Sequence, residues 1–208
     1  MLVNLQVDGF IDELASDSPA PGGGSVSALN GALGAGLVAM VARLTIGKKG
    51  YEDLESLMVE TRDEADTLKT RLTALVDEDT QAFNAVMAAF KMPKGCEEEK
   101  TARSAAIQEG YKQATATPME TAEKCLAVLE LATAIAGKAN PNTASDLGTA
   151  AQVAYAGVQG AVMNVKINLP SIKDENWRNK EAEKTSRLLE RAETARNKVT
   201  SALAQIVG

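Results

Sequence analysis

Val26-Ser27-Ala28-Leu29-Asn30-Gly31-Ala32-Leu33-Gly34-Ala35-Gly36-Leu37-Val38-Ala39-Met40-Val41-Ala42 carries no charge and no proline. The run is short for a membrane span, it holds Ser27, Asn30 and three glycines, and it leads into Arg43. It reads as the buried central helix of a soluble protein, extending over 25–46. Ser27, Gly31, Ala35 and Ala39 recur every four residues, and so do Ala28, Ala32 and Gly36. Small side chains at that spacing let a second helix lie very close. The expected place for such a surface is a helical core or a dimer interface.

The rest of the chain reads as helix around it. Residues 2–16 form a short amphipathic helix with Leu5, Phe10, Ile11 and Leu14 on one side. A long helix spans 51–90, its seam running through Met58, Ala65, Leu68, Leu72, Leu75, Phe83, Val86 and Phe90. Residues 97–116 form another, opened by Glu97, Glu98 and Glu99 at the positive end of the helix dipole. Thr117-Pro118-Met119-Glu120 then reads as a fresh helix start, with Thr117 as cap and Glu120 closing a capping box, running to Ala136. A further helix follows from Ser145 or Asp146 to about 165. Ile167–Pro170 is expected to be extended, and a last amphipathic helix covers 173–207. The expected fold is all-α, a multi-helix bundle with long helices, with 1–208 as one domain.

Composition agrees. Hydrophobic residues make up 45% of the chain but aromatics only 3%, so the core is built from Ala, Leu, Val and Met, which favours close-packed helices over sheets. A net charge of −6 argues against nucleic acid as a partner. Cys96 and Cys125 stand alone, as reduced thiols rather than metal ligands. The N-terminal residues lack the basic start of a signal peptide, and a cytoplasmic protein is expected. The chain has no histidine, which removes histidine-based triads and metal sites; proton transfer falls to Asp, Glu, Lys, Tyr or Cys.

Three segments stand out chemically. Asp79 falls midway on the stripe of Leu72, Leu75, Val76, Phe83 and Val86, while Asp77 and Glu78 are expected to point away. A carboxylate among apolar residues is either a general base with a raised pKa, or is paired with a lysine or capping a neighbouring helix. Pro19-Ala20-Pro21-Gly22-Gly23-Gly24-Ser25 feeds a helix N-terminus and offers backbone N–H groups to an anion or carbonyl, or simply turns the chain between helices. Asn140-Pro141-Asn142-Thr143-Ala144-Ser145-Asp146 gathers more polar groups than a helix cap requires. Asn164 and Asn168 interrupt an apolar run, either as structural bridges or as ligand contacts. Lys48, Lys49 and Tyr51 follow the apolar helix, where lysines answer the helix dipole.

These segments, taken in order, resemble the cyclodeaminase/cyclohydrolase family of one-carbon folate metabolism. The matching stretches are Pro19–Ser25, Met40–Lys49, Asp79-Thr80-Gln81-Ala82-Phe83, Asn142–Asp146 and Asn164–Leu169, with departures at Ala139 and Pro141. The resemblance implies an all-helical homodimer that binds tetrahydrofolate derivatives. The stand-alone cyclohydrolases are the nearer pattern, with hydrolysis of 5,10-methenyltetrahydrofolate as the expected reaction. Cyclodeamination of a formimino-folate is the alternative, and a non-catalytic helical dimerisation protein the alternative of another class. On this reading Asp79 is the base or the electrostatic partner of the substrate cation, with Asp146 as second carboxylate. Gly22, Gly23, Gly24, Ser25, Asn142, Ser145 and Asn164 recognise the pterin and the one-carbon unit. Lys48, Lys49 and Lys166 meet the glutamate tail. No metal and no cofactor are expected.

Overall fold

The computed structural model describes residues 1–207, and among them it contains helices and no strand. Six α-helices run in order: α1 (Val7–Leu14), α2 (Gly23–Arg43), α3 (Glu55–Phe90), α4 (Glu97–Ile135), α5 (Ala144–Asn168) and α6 (Glu175–Val207). Single 3-10 turns precede α1, α3 and α5 and follow α5.

α2 is the hub, packed against α3, α5 and α4. Its small residues make this possible. Ala28, Ala35, Val38 and Val41 are fully buried, and Gly31 lies where a Cβ would meet Cys125 Sγ at 2.4 Å. Gly157 of α5 closes on the same sulfur, a Cβ there lying 2.7 Å from it. Three helices therefore meet at a notch that one thiol fills. Burial pushes that thiol up to about 12, whereas Cys96 is exposed. Although α2 is long and apolar enough to cross a membrane, 61% of its most apolar window is buried among the other helices. The Ser27-Gly31-Ala35-Ala39 stripe thus lies in the core, while Gly36 stays half-exposed on the opposite face.

Several expectations need correction. Residues 2–16 are not one helix: a turn at Leu2–Asn4 precedes α1, and α1 buries none of its residues. Ile167–Pro170 is not extended, since α5 continues to Asn168 and a 3-10 turn carries Leu169–Ser171. Asp77 does not point away. It is buried and accepts the Leu2 backbone N–H at 2.6 Å, fastening the N-terminal turn to α3.

The largest correction is at Pro118. No new helix starts there; α4 runs unbroken for 39 residues with Pro118 inside it. A proline in a helix interior removes the N–H that would serve the carbonyl four residues earlier, here Ala114. Asn168 Nδ2 takes its place, donating to Ala114 O at 2.8 Å. The amide from the end of α5 repairs the ladder of α4. Glu120 caps nothing and instead binds Arg71 at 2.7 Å, joining α3 to α4.

Candidate active site

Gly22 stands at the N-cap of α2 and has no side chain with which to cap the helix. Asp79 of α3 stands at this first turn, beside Gly24 and Ser25. Its carboxylate sits against Gly24 in that turn and accepts from Ser25 Oγ at 3.2 Å, and the Ser25 backbone N–H beside it adds to the stabilisation of the charged form. Asp79 therefore caps a neighbouring helix, as one of the two sequence readings held, and at the same time it lines an open cleft. Burial raises its pKa above the ordinary aspartate value, and the Ser25 hydroxyl and N–H pull it partly back.

Ser25 Oγ also donates to Val76 O at 2.8 Å and lies 3.3 Å from Thr80 Oγ1. One hydroxyl proton serves one acceptor at a time. With that proton on the Val76 carbonyl, the serine oxygen is free to accept from a protonated Asp79. The pair thus accommodates Asp79 in both protonation states. Gly24 is required by the same geometry: a Cβ there would lie 2.1 Å from Asp79 Oδ1. At Gly23 a Cβ would sit 3.3 Å from Asn164 Nδ2.

The cleft encloses about 460 Å³, a size suited to a small organic ligand. Gly22, Gly23, Gly24, Asp79 and Asn164 line it, so these sequence-chosen residues converge. Ser25 stands directly behind Asp79. Asn164 itself donates to Gly160 O at 2.9 Å, which fixes its amide beside Gly23. Asn168 also lines the cleft, but its amide is committed to Ala114 O, so it serves as a structural bridge.

Sequence reasoning missed the aromatic wall. Phe83 and Phe90, read as packing residues of the α3 seam, line the cleft together with Tyr111 of α4. Three of the chain's seven aromatics gather at this one place. Phe90 and Tyr111 meet edge-on, with centroids 6.2 Å apart, and Arg103 lies over Phe90 at 5.6 Å. Phe90 is 41% exposed, which a core aromatic would not be. The scarcity of aromatics was the signal available in the sequence, since each one's placement is then informative.

The remaining candidates stand elsewhere. Lys48 and Lys49 lie in the exposed loop beyond the C-terminal end of α2, about 30 Å from Gly23 along a 21-residue helix. Asn142, Ser145 and Asp146 lie beside that same end. The link is Asn140, whose Nδ2 donates to Leu44 O at 3.2 Å and whose N–H donates to Thr45 Oγ1 at 3.1 Å. Asp146 is half-buried in the first turn of α5, and Asn142 and Ser145 are exposed. Within one chain the candidates therefore form two groups at opposite ends of α2.

Comparison with known proteins gives this geometry a context. A sequence model of the formiminotransferase-cyclodeaminase family matches residues 6–187. A methenyltetrahydrofolate cyclohydrolase of Methylorubrum extorquens is 43% identical over 174 residues, covering 84% of each chain. A mouse formimidoyltransferase-cyclodeaminase is 38% identical over 193 residues, which are 93% of this chain but 36% of that protein. The crystal structure of a formiminotetrahydrofolate cyclodeaminase from Thermotoga maritima superposes over the full length of both chains with a TM-score of 0.90 and 31% identity. The match runs through the glycine loop, the Asp79 helix and both asparagine segments, and the chain belongs to the formiminotransferase-cyclodeaminase family.

Proposed function

We infer that this protein is a methenyltetrahydrofolate cyclohydrolase, an enzyme that hydrolyses 5,10-methenyltetrahydrofolate to 10-formyltetrahydrofolate. The observation that carries the reading is the 43% identity to a cyclohydrolase over 84% of both chains. A half-buried carboxylate opening into an aromatic-walled cleft supports it.

The chemistry suits the residues. The substrate carbon lies between two nitrogens and bears positive charge, so it is already electrophilic. Water adds to it, and Asp79 takes a proton from that water as the C–O bond forms. The C–N5 bond then breaks, the hydroxyl becomes the formyl carbonyl, and N5 receives a proton; one proton is released overall. A carboxylate whose pKa burial has raised is a better base for this step than an ordinary surface aspartate. Ionised Asp79 also offsets the substrate's positive charge, in a setting where burial strengthens the attraction. Phe83, Phe90 and Tyr111 supply flat surfaces for a pterin. The Asn164 amide and the backbone around Gly22–Gly24 supply polar contacts to its edge. The reaction calls on no metal and no organic cofactor. Asp146, Lys48 and Lys49 keep their proposed roles only if their end of α2 also meets the substrate.

The second reading is cyclodeamination of a formimino-folate with release of ammonia. The name of the Thermotoga maritima relative and the mouse identity favour it. Purified protein is tested for accelerated loss of methenyltetrahydrofolate absorbance over the spontaneous rate, with the 10-formyl product identified. Acceleration supports the cyclohydrolase. Ammonia release from the formimino substrate without that acceleration replaces it with the deaminase.

A further inference from the structure

We propose that Asn168 has a second task beyond bridging two helices: its side-chain oxygen accepts a hydrogen bond from the amino group on the pterin's pyrimidine ring, and the proline break in α4 holds the amide turned for that contact. The proposal rests on the functional reading above and deepens it by naming a specificity contact. Three observations carry it.

The first is the orientation of the amide. Pro118 has no N–H, so Ala114 O receives no donor from the residue four places on. Asn168 Nδ2 donates to that oxygen at 2.8 Å. A carbonyl only accepts, so the amide cannot be turned over without setting its own oxygen against the oxygen of Ala114. With an N–H at position 118 the helix ladder would close by itself, and the Asn168 amide would be free to flip. The break in α4 thus fixes which end of this amide is the acceptor.

The second is that the acceptor is unclaimed. Asn168 Oδ1 meets no donor among the described residues, and it is not one of their buried atoms left without a partner, so it is accessible. Asn168 and Ala114 both line the cleft, together with Tyr111, which lies three residues before Ala114 on α4. A flat ring stacked on an aromatic wall presents its polar groups at its edge. An open acceptor beside that wall selects a ring with a donor there, because a ring without one leaves the acceptor desolvated and unpaired.

The third is reach. α5 runs antiparallel to α2: Gly157 packs on Ser27 and Gly31, Gly160 on Ser27, and Gly23 on Asn164. Asn168 lies one turn further along α5, about 6 Å past the start of α2. Asp79 sits at that start, against Gly24. The span from Asp79 to Asn168 therefore matches the long dimension of a fused two-ring heterocycle. With the one-carbon unit and N5 at Asp79, the pyrimidine ring and its amino group reach the level of Asn168.

Removing Asn168 alone would mix recognition with repair of α4, so the test variants are built on Pro118→Ala, in which residue 118 supplies the missing N–H. In that background Asn168→Ala should raise KM for methenyltetrahydrofolate and Kd for 5-formyltetrahydrofolate about tenfold, the effect of one lost hydrogen bond to a buried group. Turnover number should change less than about twofold, since the contact is made equally in ground and transition states. Asn168→Asp in the same background keeps an acceptor oxygen and should restore both constants. On the ligand side, wild-type protein should bind 5-formyltetrahydrofolate about tenfold more tightly than its 2-desamino-2-methyl analogue, and Pro118→Ala/Asn168→Ala should bind the two alike. Circular dichroism and urea unfolding establish that each variant is folded. Unchanged KM and Kd in Pro118→Ala/Asn168→Ala relative to Pro118→Ala overturn the proposal and leave Asn168 as a repair of α4 alone. So do a failure of Asn168→Asp to restore binding and an equal affinity of wild-type protein for the two analogues. The functional reading fails separately: a protein that turns over neither folate yet shows this discrimination keeps the Asn168 contact and loses the cyclohydrolase, and one that binds no folate loses both.

Discussion

At its C-terminal end α2 gives the Leu44 carbonyl to Asn140 Nδ2, returns the Val41 carbonyl to Thr45 Oγ1 at 2.8 Å, and turns away through Gly47 at φ +70°. At its N-terminal end Gly22 contributes no side chain, and Asp79, a residue of another helix, stands at the first turn. The first end is closed by groups whose only partners are the protein's own. The second end is served by a carboxylate held at a cleft wall, partly desolvated and within reach of a ligand. Equivalent orphan groups arise at both ends of any helix. What separates structure from function here is whether the partner that satisfies them faces inward or faces a cleft.

The largest expected effect that sharpens this contrast is at Asp79. Asp79→Asn should lower turnover of methenyltetrahydrofolate by about 10²–10⁴-fold, the span usual for loss of a general base. In wild-type protein kcat/KM should rise with pH through an apparent pKa above the ordinary aspartate value, and the variant should lose that limb. Stability moves the other way. The native-state pKa is raised, so the native protein binds this proton more tightly than the unfolded chain. Stability therefore falls as pH rises from the unfolded to the native pKa, and stays at the lower level above it. At pH 7 the asparagine variant should melt no lower than wild type. A lower melting temperature would mean that capping of α2, rather than the reaction, is what Asp79 is held for.

Two glycines provide the next test. Gly24→Ala forces the new methyl against the Asp79 carboxylate, and the resulting displacement of about 1 Å should cost on the order of 10²-fold in kcat. Gly47→Ala has open space around it and is disfavoured only by its positive φ, so it should cost about 1–2 kcal/mol in urea unfolding with little change in kcat. If both lost activity equally, the distinction between the open and closed ends would fail.

A further, smaller prediction concerns the cleft wall. Asn168→Ala leaves the Ala114 carbonyl without a donor and should cost about 1–3 kcal/mol. In a Pro118→Ala background the helix regains its own N–H, so the cost of Asn168→Ala should shrink. Urea unfolding of the four proteins in the cycle measures that coupling.

The fold was largely legible because α2 announces itself: an uncharged run of small residues has few places to go except between other helices. Asp79 and the glycine loop were legible for a related reason, since a carboxylate on an apolar stripe and three glycines at a helix start both violate the local pattern. What escaped was non-local. Nothing near Pro118 in sequence reveals that an amide fifty residues later repairs its gap, so the proline read as a helix start. Asp77 looked solvent-facing by periodicity, and only the packing of Leu2 against α3 makes it buried. Phe83 and Phe90 fit the seam of their helix so well that their second role as a cleft wall was hidden until α4 lay opposite.

The thiol at the crossing of α2, α4 and α5 makes the protein its own stability gauge. Cys96 is open to reagents at once, while Cys125, fully buried and with its thiol pKa near 12, reacts only when the three helices part. A maleimide should therefore be taken up in two stages, one prompt equivalent and one slow. The slow uptake is a clock on the opening of the core at neutral pH without denaturant, and any ligand that tightens the fold should visibly slow it.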